Sequence, residues 1–191
     1  MSVESIFSKY IVVIMGSSQS GVTAFINAIS EIPPRTLPDP LPSPTLKPLD
    51  YGRLTIDASH VIYLYGISES HPTSAWSFLF DREDDIGVIA LVDSGRPDLF
   101  PISKSLIKRL DSDIPYIVFA NKQDLIGAWE LDAICVAMGV GRGVPVMRGS
   151  AKTRKGIRDA VLFILDMLIN PVIDPEYVEV EDEDQSQVEE V

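Results

Sequence analysis

Apolar residues along the chain form short continuous runs that alternate with stretches of helical periodicity. Residues 10–15, YIVVIM, make the first run, which is rich in β-branched side chains and stops at Gly16. An apolar run without period-two alternation is typical of a strand that is covered on both faces. Between Val22 and Ile29 the apolar residues recur on one face of a helix. This part of the chain is therefore predicted to form a strand, a loop and a helix.

The same alternation continues toward residue 169. Two candidate strands follow each other closely, with only Ala58 and Ser59 between them, which predicts a hairpin. We predict an α/β fold with a mostly parallel six-stranded sheet, one antiparallel edge strand and helices on both faces. The further strands are predicted at residues 51–57, 60–66, 86–92, 115–120 and 144–148, and the helices near residues 73–82, 100–110, 130–138 and 154–169.

A proline-rich segment separates the first helix from the hairpin. Residues 33–48 contain seven prolines, and a proline cannot donate a backbone hydrogen bond in a helix or a central strand. The segment is predicted to be a long, extended surface connection.

The composition is that of a globular domain. A chain of 191 residues with 46% hydrophobic residues can bury one substantial core. No apolar run reaches the roughly 20 residues that cross a bilayer, and the first residues lack the basic-then-apolar order of a signal peptide. We expect no membrane span and a cytoplasmic location. The single cysteine, Cys135, lies in an apolar stretch and is predicted to be a packed, inert thiol.

The net charge of −12 is concentrated near the C-terminal end. Residues 174–191 contain nine acidic residues and no Lys or Arg, so residues 1–173 carry a charge of −3. We predict one domain over residues 1–173 and an acidic, disordered tail over residues 174–191. A solubilising role and a dock for a basic partner both fit the tail, whereas nucleic-acid binding does not.

The loop after the first predicted strand has the spacing of a phosphate-binding loop. The pattern G-x-x-x-x-G-K-[ST] is met at every fixed position except the lysine, where Val22 stands. Two glycines permit a tight backbone path, the helix that starts near Ser20 adds its dipole, and the Thr23 hydroxyl is a candidate Mg²⁺ ligand. An ordinary strand-to-helix turn is the alternative. The predicted phosphate-binding residues are Gly16, Ser17, Ser18, Gln19, Ser20, Gly21, Val22 and Thr23.

Two further motifs follow predicted strands. Asn121-Lys122-Gln123-Asp124 comes directly after the strand at 115–120, and Ser150-Ala151-Lys152 follows the last strand. A fixed carboxylate such as that of Asp124 can accept both the N1–H and the N2–H₂ of guanine, and adenine offers no such pair of donors. Taken alone, the first motif also fits a polar turn that caps the next helix. The two motifs together favour a guanine site.

With these motifs the chain resembles the Ras-like small GTPases over about residues 9–170. The resemblance implies the three-layer P-loop NTPase fold of small G proteins, with GTP or GDP and Mg²⁺ as ligands. It also implies that Asn121 braces the base pocket, that Lys122 lies along the ring, and that the Ala151 amide approaches guanine O6. The implied guanine-binding residues are Asn121, Lys122, Asp124, Ser150, Ala151 and Lys152.

Within this superfamily, residues 50–70 are similar to the corresponding segment of prokaryotic MglA-like proteins. In one alignment Gly66 stands where a metal-linked Asp is usual, Glu69 replaces a glycine that meets the γ-phosphate, and Ser70 replaces a water-orienting Gln. In the other register Tyr63 stands at the Asp position, so the Asp is absent either way. Thr45 is the candidate switch threonine. The resemblance also suggests a Roadblock-type protein partner.

These replacements predict weak or absent GTP hydrolysis. Lysine, Mg²⁺ and a water-orienting group supply most of the charge neutralisation and positioning that hydrolysis needs. We assign no catalytic residue, and His60 and His71 are predicted to be surface or hairpin residues. The expected function is that of a guanine-nucleotide-binding regulatory protein in signalling that acts through a protein partner. An active GTPase with an atypical catalytic set and a nucleotide-free pseudo-GTPase scaffold are the alternatives.

Overall fold

Seven strands form a single sheet within the part of the chain that the structure describes. The structure is a computed structural model that describes residues 8–33, 35–37, 49–80, 85–141 and 143–171, with residues 35–37 described in their backbone alone. The strands are β1 Ser8–Gly16, β2 Arg35–Leu37, β3 Leu49–Thr55, β4 His60–Ser68, β5 Asp85–Asp93, β6 Tyr116–Asn121 and β7 Val146–Arg148. Their order in the sheet is β2-β3-β4-β1-β5-β6-β7. Only β3 runs antiparallel to the rest, because it pairs antiparallel with both β2 and β4.

Helices cover both faces of the sheet. Side chains of β1 alternate between two cores, with Val12 and Ile14 on one side and Val13 and Met15 on the other. The helices are α1 Val22–Ile29, α2 Thr73–Phe80, α3 Phe100–Ile107, α4 Leu131–Met138 and α5 Ile157–Ile169. Helices α1 and α5 cover the first core. Helices α2 and α3 cover the second core, and α3 and α4 cover a third core on the same face of the sheet. The predicted three-layer α/β fold is confirmed.

The sheet has one strand more than predicted. β2 lies inside the proline-rich segment, where the three residues before Pro38 pair with β3 at the edge of the sheet. Proline has no N–H to donate to a ladder, so an edge strand between prolines stays short. The remainder of the proline-rich segment with Thr45, residues 81–84 and the acidic tail lie outside the described residues.

The hairpin between β3 and β4 is looser than the predicted two-residue link. β3 ends at Thr55 and β4 begins at His60, so four residues lie between the strands. The Asp57 carboxylate accepts hydrogen bonds from the Ser59 and His60 N–H groups at 2.7 and 3.0 Å. This side-chain turn supports the loop next to a backbone hydrogen bond from the Ile56 N–H to the His60 carbonyl oxygen, at 2.9 Å.

The carboxyl ends of the parallel strands meet at one edge of the sheet. Gly16 at the end of β1 pairs with Ser68 of β4, and Asp93 of β5 pairs with Asn121 of β6. β1 lies at the point where the strand order reverses, since β4 and β5 flank it. Ligands of open α/β sheets bind at such a point. The loops that carry the predicted motifs are therefore adjacent in space.

Two observations concern the helices: the position of the single cysteine and the absence of a membrane-spanning helix among the described residues. Cys135 lies on α4 as a partly buried free thiol. Among the described residues, no helix combines the length and the apolar character that a membrane crossing requires.

Candidate functional site

The loop between β1 and α1, which we call the phosphate loop after its sequence pattern, is a tight turn with hydrogen bonds between its own residues. The Ser20 N–H and hydroxyl both donate to the Ser17 carbonyl oxygen, at 2.9 and 2.8 Å. A Cβ on Gly16 would collide with the Ser20 hydroxyl. Gly21 has φ of 98° and forms the N-cap of α1, so the helix begins at Val22 rather than near Ser20. Gly21 has no side chain to cap this helix end, which leaves the first N–H groups of the helix without a cap from that residue and suited to an anion.

A pocket of about 440 Å³ lies against this turn. The Ser17 side chain belongs to its lining, is 2% exposed, and its hydroxyl has no hydrogen-bond partner in the described part of the chain. A buried hydroxyl without a partner is costly, so the pocket offers a polar group to a ligand. The lining residues are Ser17, Ser18, Gln19, Gly21, Val22, Thr23, Ala24, Asp50, Gly66, Ile67, Ser68, Ser70 and His71.

Val22 occupies the position of the missing lysine and packs as an apolar residue. Its Cγ1 atom lies 2.7 Å from where a Cβ on Gly66 would be. The side chain is partly buried against the core that α1 and α5 close. The phosphate loop therefore has a methyl group where the motif has an ammonium.

The Asn121 side chain joins the phosphate loop to both other motifs. Its Nδ2 atom donates to the Ser20 carbonyl oxygen at 2.7 Å, and its Oδ1 atom accepts from the Ala151 N–H at 2.8 Å. The residue is 1% exposed. A Cβ on Gly21 would lie 2.6 Å from the Asn121 amide nitrogen, so the second loop glycine is needed for this contact. The structure thus brings the three predicted motifs together around one buried amide.

The two hydrogen bonds of the Asn121 side chain form a bridge, which we call the Asn121 bridge, and one of them uses the Ala151 N–H. This N–H, which the resemblance directs at guanine O6, donates to Asn121 Oδ1. A role toward O6 requires the hydrogen bond to be shared or exchanged. Asn121 and Ala151 do not line the pocket described above, so the base motifs lie beyond its rim.

Asp124, the last residue of the Asn121-Lys122-Gln123-Asp124 motif, is held in a fixed orientation. The Ser150 hydroxyl donates to its Oδ1 atom at 2.6 Å, and Lys152 Nζ lies 4.0 Å from its Oδ2 atom. Its side chain is 19% exposed. The hydrogen bond from Ser150, aided by the nearby lysines, lowers the pKa of the Asp124 carboxyl below its ordinary value. The carboxylate is therefore ionised near neutral pH and has acceptor capacity left for two donors of a base.

Lys122 is anchored by a residue that the sequence did not single out. The lysine adopts a left-handed conformation with φ of 65°, which is uncommon for a residue with a side chain. Its Nζ atom lies 2.6 Å from Asp93 Oδ2, and the Asp93 side chain is 2% exposed. Asp93 also accepts the Gly95 N–H at 3.0 Å. This pair fixes the lysine stem at the strand edge.

The segment after β4 contributes the other wall of the pocket. Tyr63 pairs with Ile11 in the middle of the sheet, whereas Gly66 pairs with Ile14 nearer the phosphate loop. Of the two residues aligned with the metal-linked Asp, Gly66 is thus the one nearer the phosphate loop. His71 was predicted to be a surface or hairpin residue, but it lines the pocket, and its Nδ1 atom accepts the Ser68 N–H at 3.0 Å. His60 lies at the hairpin, as predicted.

Glu69 lies directly over the phosphate loop. The Ser18 hydroxyl donates to its Oε1 atom at 2.8 Å, and its Oε2 atom is buried without a hydrogen-bond partner in the described part of the chain. A carboxylate in this place would oppose a γ-phosphate bound at the loop, because like charges at close range repel by about 1 kcal/mol or more even at high dielectric.

The Glu69→Gln variant should bind GTP more tightly while changing its affinity for GDP less. We expect the ratio of the two affinities to shift by about fivefold toward GTP, the equivalent of about 1 kcal/mol. The ratio is measured by titration with fluorescent GDP and GTP. Glu31→Gln is the matched control, since Glu31 contacts Thr55 beyond the other end of α1. An unchanged ratio would show that Glu69 does not face the nucleotide.

Asp50 is a further pocket residue that the motifs did not identify. The Thr23 hydroxyl donates to Asp50 Oδ2 at 2.5 Å. Asp50 lies on β3 opposite Gly66 in the sheet register. The sequence carries a signal for it only in the strand pattern around residue 50, which does not reveal that β3 passes beside α1.

Comparison with known proteins adds evidence about the fold. No protein-family model matches this sequence, and no curated protein matches it. Among solved structures, the Arl6 BBS3 small GTPase from Trypanosoma brucei with bound nucleotide analogue GppNp is similar, with a TM-score of 0.62 over 85% of this chain and 98% of that chain. The chain has the small-GTPase fold. At 18% identity, the likeness extends to the fold alone.

Proposed function

We propose that this small-GTPase-like domain binds guanine nucleotide and acts as a regulatory protein with little or no intrinsic GTP hydrolysis. The observation that carries the proposal is the Asn121 bridge. One buried amide holds the phosphate loop and the Ser150 to Lys152 turn in fixed relation. Such a connection suits a ligand with a phosphate group at one end and a base at the other.

Each end of the site has groups that suit part of a nucleotide. At the phosphate end are the uncapped N-terminus of α1 and the unpartnered Ser17 hydroxyl. At the base end is the oriented, ionised carboxylate of Asp124, which complements the N1–H and N2–H₂ edge of guanine. These residues fit GDP or GTP. Bound Mg²⁺ would neutralise phosphate charge, with Thr23 as a ligand.

Weak hydrolysis is supported by what surrounds the phosphate loop. Val22 supplies no ammonium, Glu69 places an acidic side chain beside Ser18, and no Lys or Arg lines the pocket within the described ranges. Phosphoryl transfer depends on such charges and on an oriented water. We attribute these replacements to a degenerate phosphate site that departs from the pattern of the MglA-like proteins that the chain resembles.

A protein partner is part of the proposal, because a domain with little turnover exerts its effect by binding. The resemblance points to a Roadblock-type regulator in the cytoplasm. Both remain predictions from the sequence. Co-purification of the chain with a candidate Roadblock-type protein, in the presence of GDP and of GTP, tests them.

Titration of the purified protein with fluorescent GDP and GTP, with and without Mg²⁺, tests the proposed function. Phosphate release is then followed with GTP. Binding without release above that of buffer is the expected result. Turnover would instead indicate an active GTPase with an atypical catalytic set, and the absence of binding would indicate a nucleotide-free scaffold.

Val22→Lys should restore a contact of the phosphate loop. A lysine at the start of α1 would reach phosphate oxygens, and a charge-assisted hydrogen bond contributes about 1.5–3 kcal/mol, so GDP affinity should rise about tenfold to a hundredfold. The same titration measures it. Val22→Met is the control, because it lengthens the side chain without adding charge. Equal affinity of the two variants would argue against a phosphate site in this loop.

A further inference from the structure

The pocket beside the phosphate loop has one acidic residue in its lining. That residue is Asp50, and among the residues that the structure describes no Lys or Arg lines the pocket with it. Of the described side chains in the lining, a nucleotide phosphate placed there would meet a carboxylate and no Lys or Arg. The site is therefore unfavourable for a polyanion unless a cation lies between the two.

We propose that Asp50 and Thr23 together hold a divalent cation, Mg²⁺, which links the chain to the phosphates of a bound nucleotide. The inference rests on the proposed function and specifies the metal part of the same site. The Thr23 hydroxyl and the Asp50 carboxylate lie 2.5 Å apart. Hydroxyl and carboxylate oxygens are ligands that Mg²⁺ prefers.

The small number of protein ligands agrees with this metal. The described residues include no group of three or more His, Cys, Asp or Glu side chains that could hold an ion by themselves. Mg²⁺ usually binds through one or two protein groups, substrate phosphates and several waters, rather than in an all-protein cage. Asp50 and Thr23 thus provide the protein side of a site that the nucleotide completes.

The sheet register explains why the carboxylate comes from β3. Asp50 pairs with Gly66 of β4, and a Cβ on Gly66 would lie 2.9 Å from the Asp50 Cβ atom and 2.7 Å from Val22 Cγ1. A side chain at position 66 would therefore crowd both residues. Asp50 and Val22 fill the space that an acidic side chain at Gly66 would need, and Asp50 presents its own carboxylate to Thr23 instead.

An independent observation indicates that this pocket receives a ligand. Ser17 lines the same pocket and is almost wholly buried, and its hydroxyl has no hydrogen-bond partner in the described ranges. A phosphate oxygen between Ser17 and the cation would satisfy it. The cation site and the phosphate site are parts of one arrangement.

The test compares GDP affinity in excess Mg²⁺ and in EDTA for the unchanged protein and for Asp50→Asn. Asn at position 50 keeps the shape and an acceptor for Thr23 but removes the charge. For the unchanged protein we expect Mg²⁺ to raise the affinity at least about thirtyfold, and for Asp50→Asn less than about threefold, as a lost charge-assisted contact implies. In EDTA the variant should bind GDP as tightly as the unchanged protein or more tightly.

Asp132→Asn is the matched control, since Asp132 is exposed on α4 and does not line the pocket. The second variant, Thr23→Val, removes the other ligand at similar volume and should lose the Mg²⁺ effect as Asp50→Asn does. Thermal unfolding confirms that each variant is folded. The electron paramagnetic resonance signal of Mn²⁺, added to protein with equimolar GDP, reports metal binding independently of the nucleotide titration.

Three results separate the proposals. Loss of the Mg²⁺ effect and of the Mn²⁺ site in both pocket variants, with the control unchanged, supports the inference. Nucleotide binding whose Mg²⁺ dependence is the same in Asp50→Asn overturns it and leaves the proposed function in place. If the unchanged protein binds no nucleotide in either condition, the proposed function fails, and the cation site fails with it.

Discussion

Asp124→Asn is expected to lose most of its affinity for GDP and to gain affinity for xanthosine diphosphate. Asp124 Oδ1 is fixed by the Ser150 hydroxyl, and Asn keeps that acceptor. The side-chain amide then replaces a carboxylate oxygen with a donor, which opposes the N2–H₂ of guanine and matches the C2 carbonyl of xanthine. Because two charge-assisted contacts are affected, GDP affinity should fall by about a hundredfold or more.

Competition titrations with the two diphosphates measure this switch. Asp132→Asn is again the control, because it makes the same substitution at an exposed position on α4. Parallel losses for both bases would mean that Asp124 stabilises the loop without reading the base. Unchanged GDP affinity would place the base elsewhere.

Asn121→Ala is expected to destabilise the whole domain as well as the site. It leaves the Ser20 carbonyl and the Ala151 N–H without their buried partner. Each unsatisfied buried group costs about 1–3 kcal/mol, so the free energy of unfolding should fall by about 2–5 kcal/mol. Since a domain of this size has about 5–15 kcal/mol in total, the loss is large. Urea denaturation measures it, and nucleotide titration should show no binding.

Two further variants isolate the bridge. Asn170→Ala removes an amide at the exposed end of α5, where its Nδ2 atom contacts Asp166, and should cost little. Asn121→Asp keeps the acceptor for Ala151 but turns an oxygen toward the Ser20 carbonyl, so it should also bind nucleotide poorly. A loss of stability below about 0.5 kcal/mol in Asn121→Ala would show that water or backbone movement replaces the bridge.

Much of the fold followed from local pattern. The β-branched runs gave the parallel strands, because strands covered on both faces need apolar residues at successive positions. The motifs lay directly after those runs, and the carboxyl ends of parallel strands meet at one edge. The sequence therefore predicted that the loops containing Gly16, Asn121 and Ser150 lie close together at that edge. The switch in base preference and the restored lysine contact remain predictions.

Contacts between distant residues were not predictable in the same way. Thr23 and Asp50 are 27 positions apart, and Asp93 and Lys122 are 29 positions apart. Each pair depends on the register of neighbouring strands and on the path of a loop, and a single sequence states neither. The short edge strand β2 was missed for the same reason, since among the described strands it pairs with β3 alone.

The amino-acid order alone was enough to establish a layered α/β domain, the spacing of a phosphate loop without its lysine, and the side chains suited to guanine. These depend on local periodicity and on motif spacing. Tertiary packing decided that Asn121 closes the site as a bridge, that Glu69 covers the phosphate loop, and that Asp50 meets Thr23. Such contacts arise only when the sheet register and helix packing place separate segments within hydrogen-bond distance.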